Sequence, residues 1–133
     1  MKYVLDANAA IGALNAGGSI RARLAAVPSA EIGIPVVAVA ELLFGAYKST
    51  RRKENLTRIT ALRRSIAVLP LSDRVADLYG ESRAVLEARG VVKSDFDLII
   101  ACTAVEQEAV LVTSDKGLLD HTIPALRPEN WLE

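Results

Sequence analysis

A chain of 133 residues, 51% hydrophobic but only 5% aromatic, is long enough for one buried core built from Val, Leu, Ile and Ala, as in α/β proteins with parallel strands. Its one cysteine, Cys102, excludes a disulfide framework and a zinc cluster of cysteines. A net charge of zero gives no general attraction for nucleic acid. No apolar run nears the ~18 residues of a membrane helix, and the start MKYVLDANAA is no secretory signal, so a cytoplasmic protein is expected.

In chain order, residues 2–5 read as a short buried strand ending at Asp6. Residues 8–15 read as a first helix, punctuated by the Gly17-Gly18 pair, and 19–26 as a second, stopped near Pro28. A second strand is expected over 31–34. The run VVAVAELLFGAY over 36–47 is apolar on nearly every face and predicts a deeply buried helix. Pro35 stands at its start, where a missing N–H costs nothing. Residues 50–65 predict a charged amphipathic helix, and 67–71 a third strand. Ser72 or Asp73 caps a long helix that runs to Arg89 and stops at Gly90. Residues 94–108 predict another helix with the apolar body LIIACTAV, 110–113 a fourth strand, and 123–126 a fifth. Strands alternating with helices imply a single α/β domain over 1–133, with a central parallel sheet of four to five strands covered on both faces. Sites in such folds lie beyond the carboxyl ends of the strands.

Two acids stand at that edge. Asp6 ends the first strand and Asp115 follows the fourth; either one alone also suits a helix cap, as does Asn8. Glu41 is the one acid in the apolar run 36–47. A buried carboxylate there costs several kcal/mol (order of magnitude) unless it pairs with an arginine or binds a metal, and the site reading is preferred. Asp97 has capping-box spacing from Ser94, and Asp95 is an equally good first-turn acid; Asp97 is chosen because it directly precedes the buried LIIAC run. Four carboxylates at one edge repel, so they need a divalent cation or raised pKa values. Oxygen-only ligands select magnesium or manganese, the apparatus of in-line phosphodiester hydrolysis.

Other chemistries fall away. The one histidine, His121, cannot form a two-histidine acid–base pair, and Cys102 in an apolar run is no nucleophile. Neither a G-x-G-x-x-G after the first strand nor a P-loop is present, so no nucleotide cofactor is expected. Between Lys48 and Arg64 there are seven basic residues and one acid, a local charge of +6. Arg51, Arg52 and Lys53 in this stretch are candidate RNA-phosphate contacts, although a solvated helix face is the plainer explanation.

The segments YVLDAN, AVAELLFGA, FDLIIACTA, LVTSD and PALRPENW, in this order across the whole chain, resemble the PIN-domain endoribonucleases, specifically the VapC-type toxins of toxin–antitoxin operons. The resemblance implies a three-layer α/β/α PIN-like fold and a magnesium- or manganese-dependent hydrolysis of RNA. It places Asp6, Glu41, Asp97 and Asp115 on the family's acidic, metal-binding positions, and Asn8 and Thr113 on supporting polar ones. It further implies a structured RNA substrate such as transfer or ribosomal RNA, a homodimer, and a cognate antitoxin. Three positions depart from the pattern: Ala7 replaces a Ser or Thr, and Lys93 and Ser94 replace an apolar residue and a glycine. Two alternatives stand beside this reading. One is a phosphatase or phosphoryl-accepting domain with Asp6 as nucleophile, which lacks a second acid because Asn8 occupies that position. The other is a catalytically silent module that binds an antitoxin or RNA.

Overall fold

The structure, a computed structural model, describes residues 1–15 and 17–132. Five parallel strands form one sheet in the order β3-β2-β1-β4-β5. In chain order the elements are β1 (Tyr3–Leu5), α1 (Ala7–Leu14), α2 (Ser19–Ala25), β2 (Ile32–Pro35), α3 (Val36–Lys48), α4 (Arg52–Ser65) and β3 (Ala67–Leu69). There follow α5 (Asp73–Ala88), α6 (Asp95–Glu106), β4 (Val110–Val112), α7 (Lys116–Leu119) and β5 (Arg127–Glu129). Among the described residues, no helix is long and apolar enough to cross a membrane.

The strands are short, and both faces of the sheet are covered. Side chains alternate across a strand, so Val4 and Leu111 enter one core while Leu5 and Val112 enter the other. All four are at most 1% exposed, and each such burial contributes about 1.5–3 kcal/mol. The larger core is closed by α3, α4, α5 and α6, the smaller by Ala9 of α1, Ile20 of α2 and Trp131. Trp131 meets Tyr3 edge-on at 4.8 Å, lies under the Arg23 guanidinium at 4.2 Å, and accepts a hydrogen bond from Ser19 through its carbonyl. These contacts tie the C-terminal segment and α2 to the sheet.

Two expectations are corrected here. The fifth strand is Arg127–Glu129, not 123–126. Ile123 is buried as expected of a core residue, but Ala125 sits at φ 62°, which breaks an extended run. Pro128 then falls in an edge strand, where its missing N–H leaves no inner neighbour unpaired. Nor is α3 deeply buried. It packs Ala38, Val39, Leu42 and Ala46 inward and leaves Phe44 64% and Tyr47 56% exposed. Helical spacing puts one stripe on the core; an apolar residue on the other face is not thereby covered. The helix buried on most sides is α6, with Leu98, Ile100, Ala101, Cys102, Thr103 and Ala104 all inside.

Candidate active site

The order of strands reverses between β1 and β4: from β1 the chain proceeds to β2 and β3 on one side, and later returns to β4 and β5 on the other. The two helices that follow β1 and β4 diverge at such a point and leave a crevice at the carboxyl edge. Leu5 and Val112 are in register, so Asp6 and Thr113 leave the sheet side by side.

Asp6 is 5% exposed and caps α1, accepting at Oδ1 from the Ala9 N–H at 2.8 Å. The Thr113 hydroxyl donates to its Oδ2 at 2.5 Å. Thr113 in turn accepts from the Asp115 N–H at 3.0 Å, so one buried hydroxyl holds the first acid and the backbone of another. Asp115 caps the short α7, its Oδ1 accepting from Gly117 N–H at 2.7 Å. Both acids are thus helix caps, as the sequence allowed. Burial pushes the Asp6 carboxyl above its ordinary value; Asp115 and Asp97 push it further, while the bonds from Thr113 and Ala9 pull it down.

Asp97 and Asp95 lie in different surroundings. Asp95 is exposed, accepting from the Tyr79 hydroxyl at 2.6 Å and from Arg83 at 3.0 Å. Asp97 is half-buried and turns its charge on Asp6 and Glu41. Ser94 caps α6 by accepting from the Asp97 N–H at 3.2 Å. Among the described residues the Asp97 carboxylate accepts no return bond from the Ser94 N–H, so the capping box is half made.

Glu41 is in the neighbourhood for a reason other than the one the sequence suggested. It occupies an exposed position of α3, not a buried one. Partial loss of hydration raises its carboxyl first, with Asp97 and then Asp6 adding repulsion. No arginine pairs with it among the described residues. Asn8, the second residue of α1, is exposed and makes no side-chain hydrogen bond within the described residues. It shares with Glu41 a groove of about 470 Å³ between α1, α3 and α4, whose wall includes Ile11, Leu42, Asn55 and Arg58. Arg58, which donates to the Leu14 carbonyl at the end of α1, was not singled out from the sequence. A basic residue within a run of seven gives no sign of which one turns inward.

Arg51, Arg52 and Lys53 are exposed at the start of α4. Arg51 lies 3.8 Å from Glu54, and Arg52 donates to the Tyr47 carbonyl at 3.2 Å. Exposed contacts of this kind hold little energy, leaving the side chains available to a partner.

The donor set consists of carboxylates and a hydroxyl, with neither imidazole nor thiolate, which fits a hard divalent cation. Among the described residues no three His, Cys, Asp or Glu side chains are grouped so as to hold an ion as they stand. The four carboxylates expected at one edge are thus not gathered tightly enough to hold an ion by themselves, and water would have to complete its shell.

The family model described as "PIN domain" matches residues 3–122. Ribonuclease VapC2 of Rickettsia felis is 31% identical, and the tRNA(fMet)-specific endonuclease VapC of Shigella flexneri 30%, the alignments covering 98% of each chain. Among solved structures, VapBC2 from Rickettsia felis bound to a promoter DNA fragment matches with a TM-score of 0.87 at 30% identity, over 98% of this chain and 99% of that one. DNA-bound VapBC from Salmonella typhimurium matches with a TM-score of 0.89 at 29% identity, over 98% of each.

Proposed function

The chain belongs to the PIN-domain family and to its VapC-type ribonucleases, and from that premise we propose that the crevice between the ends of β1 and β4 hydrolyses RNA phosphodiester bonds with magnesium or manganese. Asp6, Glu41, Asp97 and Asp115 are the residues that would hold the ion. The observation that carries this reading is Asp6, a carboxylate nearly buried at the switch point of the sheet, whose pKa is raised by that burial first, with Asp115 and Asp97 adding repulsion. A protein keeps such a buried acid, at a cost in stability, where its charge is used.

A divalent ion bound there supplies positive charge, polarises a phosphoryl oxygen and makes water more acidic. The residues supply the rest. Asp6 keeps a lone pair on each oxygen after its bonds to Ala9 and Thr113, and those bonds fix the carboxylate plane. Asp115 has one oxygen engaged by Gly117 and one uncommitted among the described residues. Glu41, the most exposed of the four, is the acid most open to water and so the one proposed to accept its proton. A phosphatase reading with Asp6 as nucleophile is disfavoured, since Asn8 stands where a second acid would be needed.

The further parts of the reading follow the relatives. The substrate is a structured RNA such as transfer or ribosomal RNA. The chain acts in the cytoplasm as the toxin of a pair, silenced by a cognate antitoxin, in keeping with relatives solved as VapBC assemblies. It forms a homodimer, to which the exposed Phe44, Tyr47, Val92 and Phe96 offer apolar surface; sedimentation as a monomer at micromolar concentration would remove that element.

The decisive experiment is cleavage of a transfer-RNA mixture by the purified chain with magnesium or manganese and with excess chelator. Cleavage with either metal and none in chelator is expected; undiminished cleavage in chelator would overturn the mechanism. A second measurement concerns substrate docking. Replacing Arg51, Arg52 and Lys53 together by Ala is expected to weaken RNA binding and to flatten the plot of log affinity against log salt by about 2 in slope. An unchanged slope would leave this end of α4 as solvated surface.

A further inference from the structure

The surroundings of Lys93 are unusual for a lysine. Its side chain is only 8% exposed. The ammonium donates to the Gly117 carbonyl and to Asp120 Oδ2, the latter at 2.6 Å. Both partners lie more than twenty residues away, in the turn and short helix that follow Asp115. The hydrogen bond from Lys93, ahead of that from Thr122, lowers the Asp120 carboxyl to about 2.

The placement matters because Lys93 stands between two acid-bearing segments. It immediately precedes Ser94, whose hydroxyl accepts from the Asp97 N–H and sets the first turn of α6. The residue it grips, Gly117, donates its N–H to Asp115 Oδ1. The same lysine therefore anchors the backbone that carries Asp97 and the peptide that orients Asp115. A Cβ on Gly117 would lie 3.1 Å from Asp115 Oδ1 and 3.8 Å from the Lys93 ammonium, so the glycine stands between the two groups.

We propose that Lys93 is a positioning residue that locks the Asp115-bearing turn onto the start of α6, and so fixes the uncommitted Asp115 oxygen relative to Asp97 for cation binding. The inference rests on the proposed metal-dependent site. An apolar residue at this position can fill the same space but cannot hold Gly117. Lysine supplies a hydrogen-bonded strut, with its charge absorbed by Asp120 rather than directed at the acids. Partners that orient metal ligands in this indirect way typically change metal affinity by about 10–100-fold when lost.

The test is manganese binding measured by calorimetry on the whole protein, without RNA, beside the metal dependence of cleavage. Lys93→Met keeps the apolar stem and removes the donors. It is expected to weaken manganese binding about tenfold and to raise the half-activating manganese concentration by a similar factor, with the rate at saturating metal changed much less. Lys93→Arg restores donors and is expected to return affinity to within about threefold of the parent. Lys93→Leu takes the place of the methionine variant if that one does not fold. Parent-like manganese binding by the methionine or leucine variant overturns the role of Lys93 alone. Weakening that arginine fails to rescue also overturns it, since any disturbance of packing would then suffice. A parent that binds no manganese overturns both the inference and the site reading on which it rests.

Discussion

Asp6→Asn is expected to lower RNA cleavage by about 10³-fold or more, since the loss of one ligand charge removes several kcal/mol of transition-state stabilisation and each 1.36 kcal/mol is tenfold in rate. The substitution suits the purpose because asparagine retains an oxygen for the Ala9 N–H, so the cap on α1 survives. Asp97→Asn is expected to act as strongly, because the capping hydroxyl of Ser94 bonds to the Asp97 backbone and does not depend on the carboxylate. Asp95→Asn is the internal control. Its carboxylate is held in solvent by Tyr79 and Arg83, so cleavage should remain close to that of the parent. Initial rates on one RNA at saturating magnesium, with circular dichroism to confirm folding, check all three. An inactive Asp95 variant beside an active Asp97 variant would reverse the assignment.

These residues also show what a sequence does and does not disclose. Asp6 and Asp115 were legible because strand ends in a parallel sheet share an edge, and the register of Leu5 with Val112 places them as that rule predicts. The choice of Asp97 over Asp95 used proximity to the buried part of α6, and burial follows it: Asp97 is half-buried and Asp95 exposed. Glu41 was singled out as a charge within an apolar run, yet it stands on the exposed side of α3. The run signalled an uncovered apolar face, which hydropathy cannot distinguish from a covered one. The fifth strand was displaced because Ile123, though buried, belongs to a turn that passes through the left-handed Ala125. The strut from Lys93 was beyond reach for another reason. Its acceptors are a backbone carbonyl and an aspartate at separations of 24 and 27 residues, and no local pattern encodes such a pairing.

The same repulsion that suits the crevice to a cation makes the metal-free protein less stable, and this has a sign that can be measured. Asp6 and Glu41 have folded-state pKa values above their ordinary 3.8 and 4.5. Between the ordinary and the raised values the native state binds more protons than the unfolded one, so stability falls as pH rises through that window and stays low above it. Asp120 works in the opposite direction, but its loss of stability comes as pH falls toward about 2, below the window. In chelator, the melting temperature of the parent should therefore decline with rising pH from about pH 4 upward in a component that Asp6→Asn diminishes. At neutral pH, Asp97→Asn should melt higher than the parent in chelator, by about 2–4 °C. Two contributions compete there. Removing the charge relieves Asp6 and Glu41, while the helix dipole loses a first-turn acid worth about 0.3–1 kcal/mol. Relief prevails because Asp95 remains in the same turn to serve the dipole and Asp6 is too buried for solvent to screen it. Magnesium should reverse the order, since binding to the native state alone stabilises the parent more than the variant that has lost a ligand. Melting curves of both proteins, with chelator and with magnesium, decide it. An Asp97 variant that melts below the parent in chelator would make Asp97 chiefly a helix-end residue.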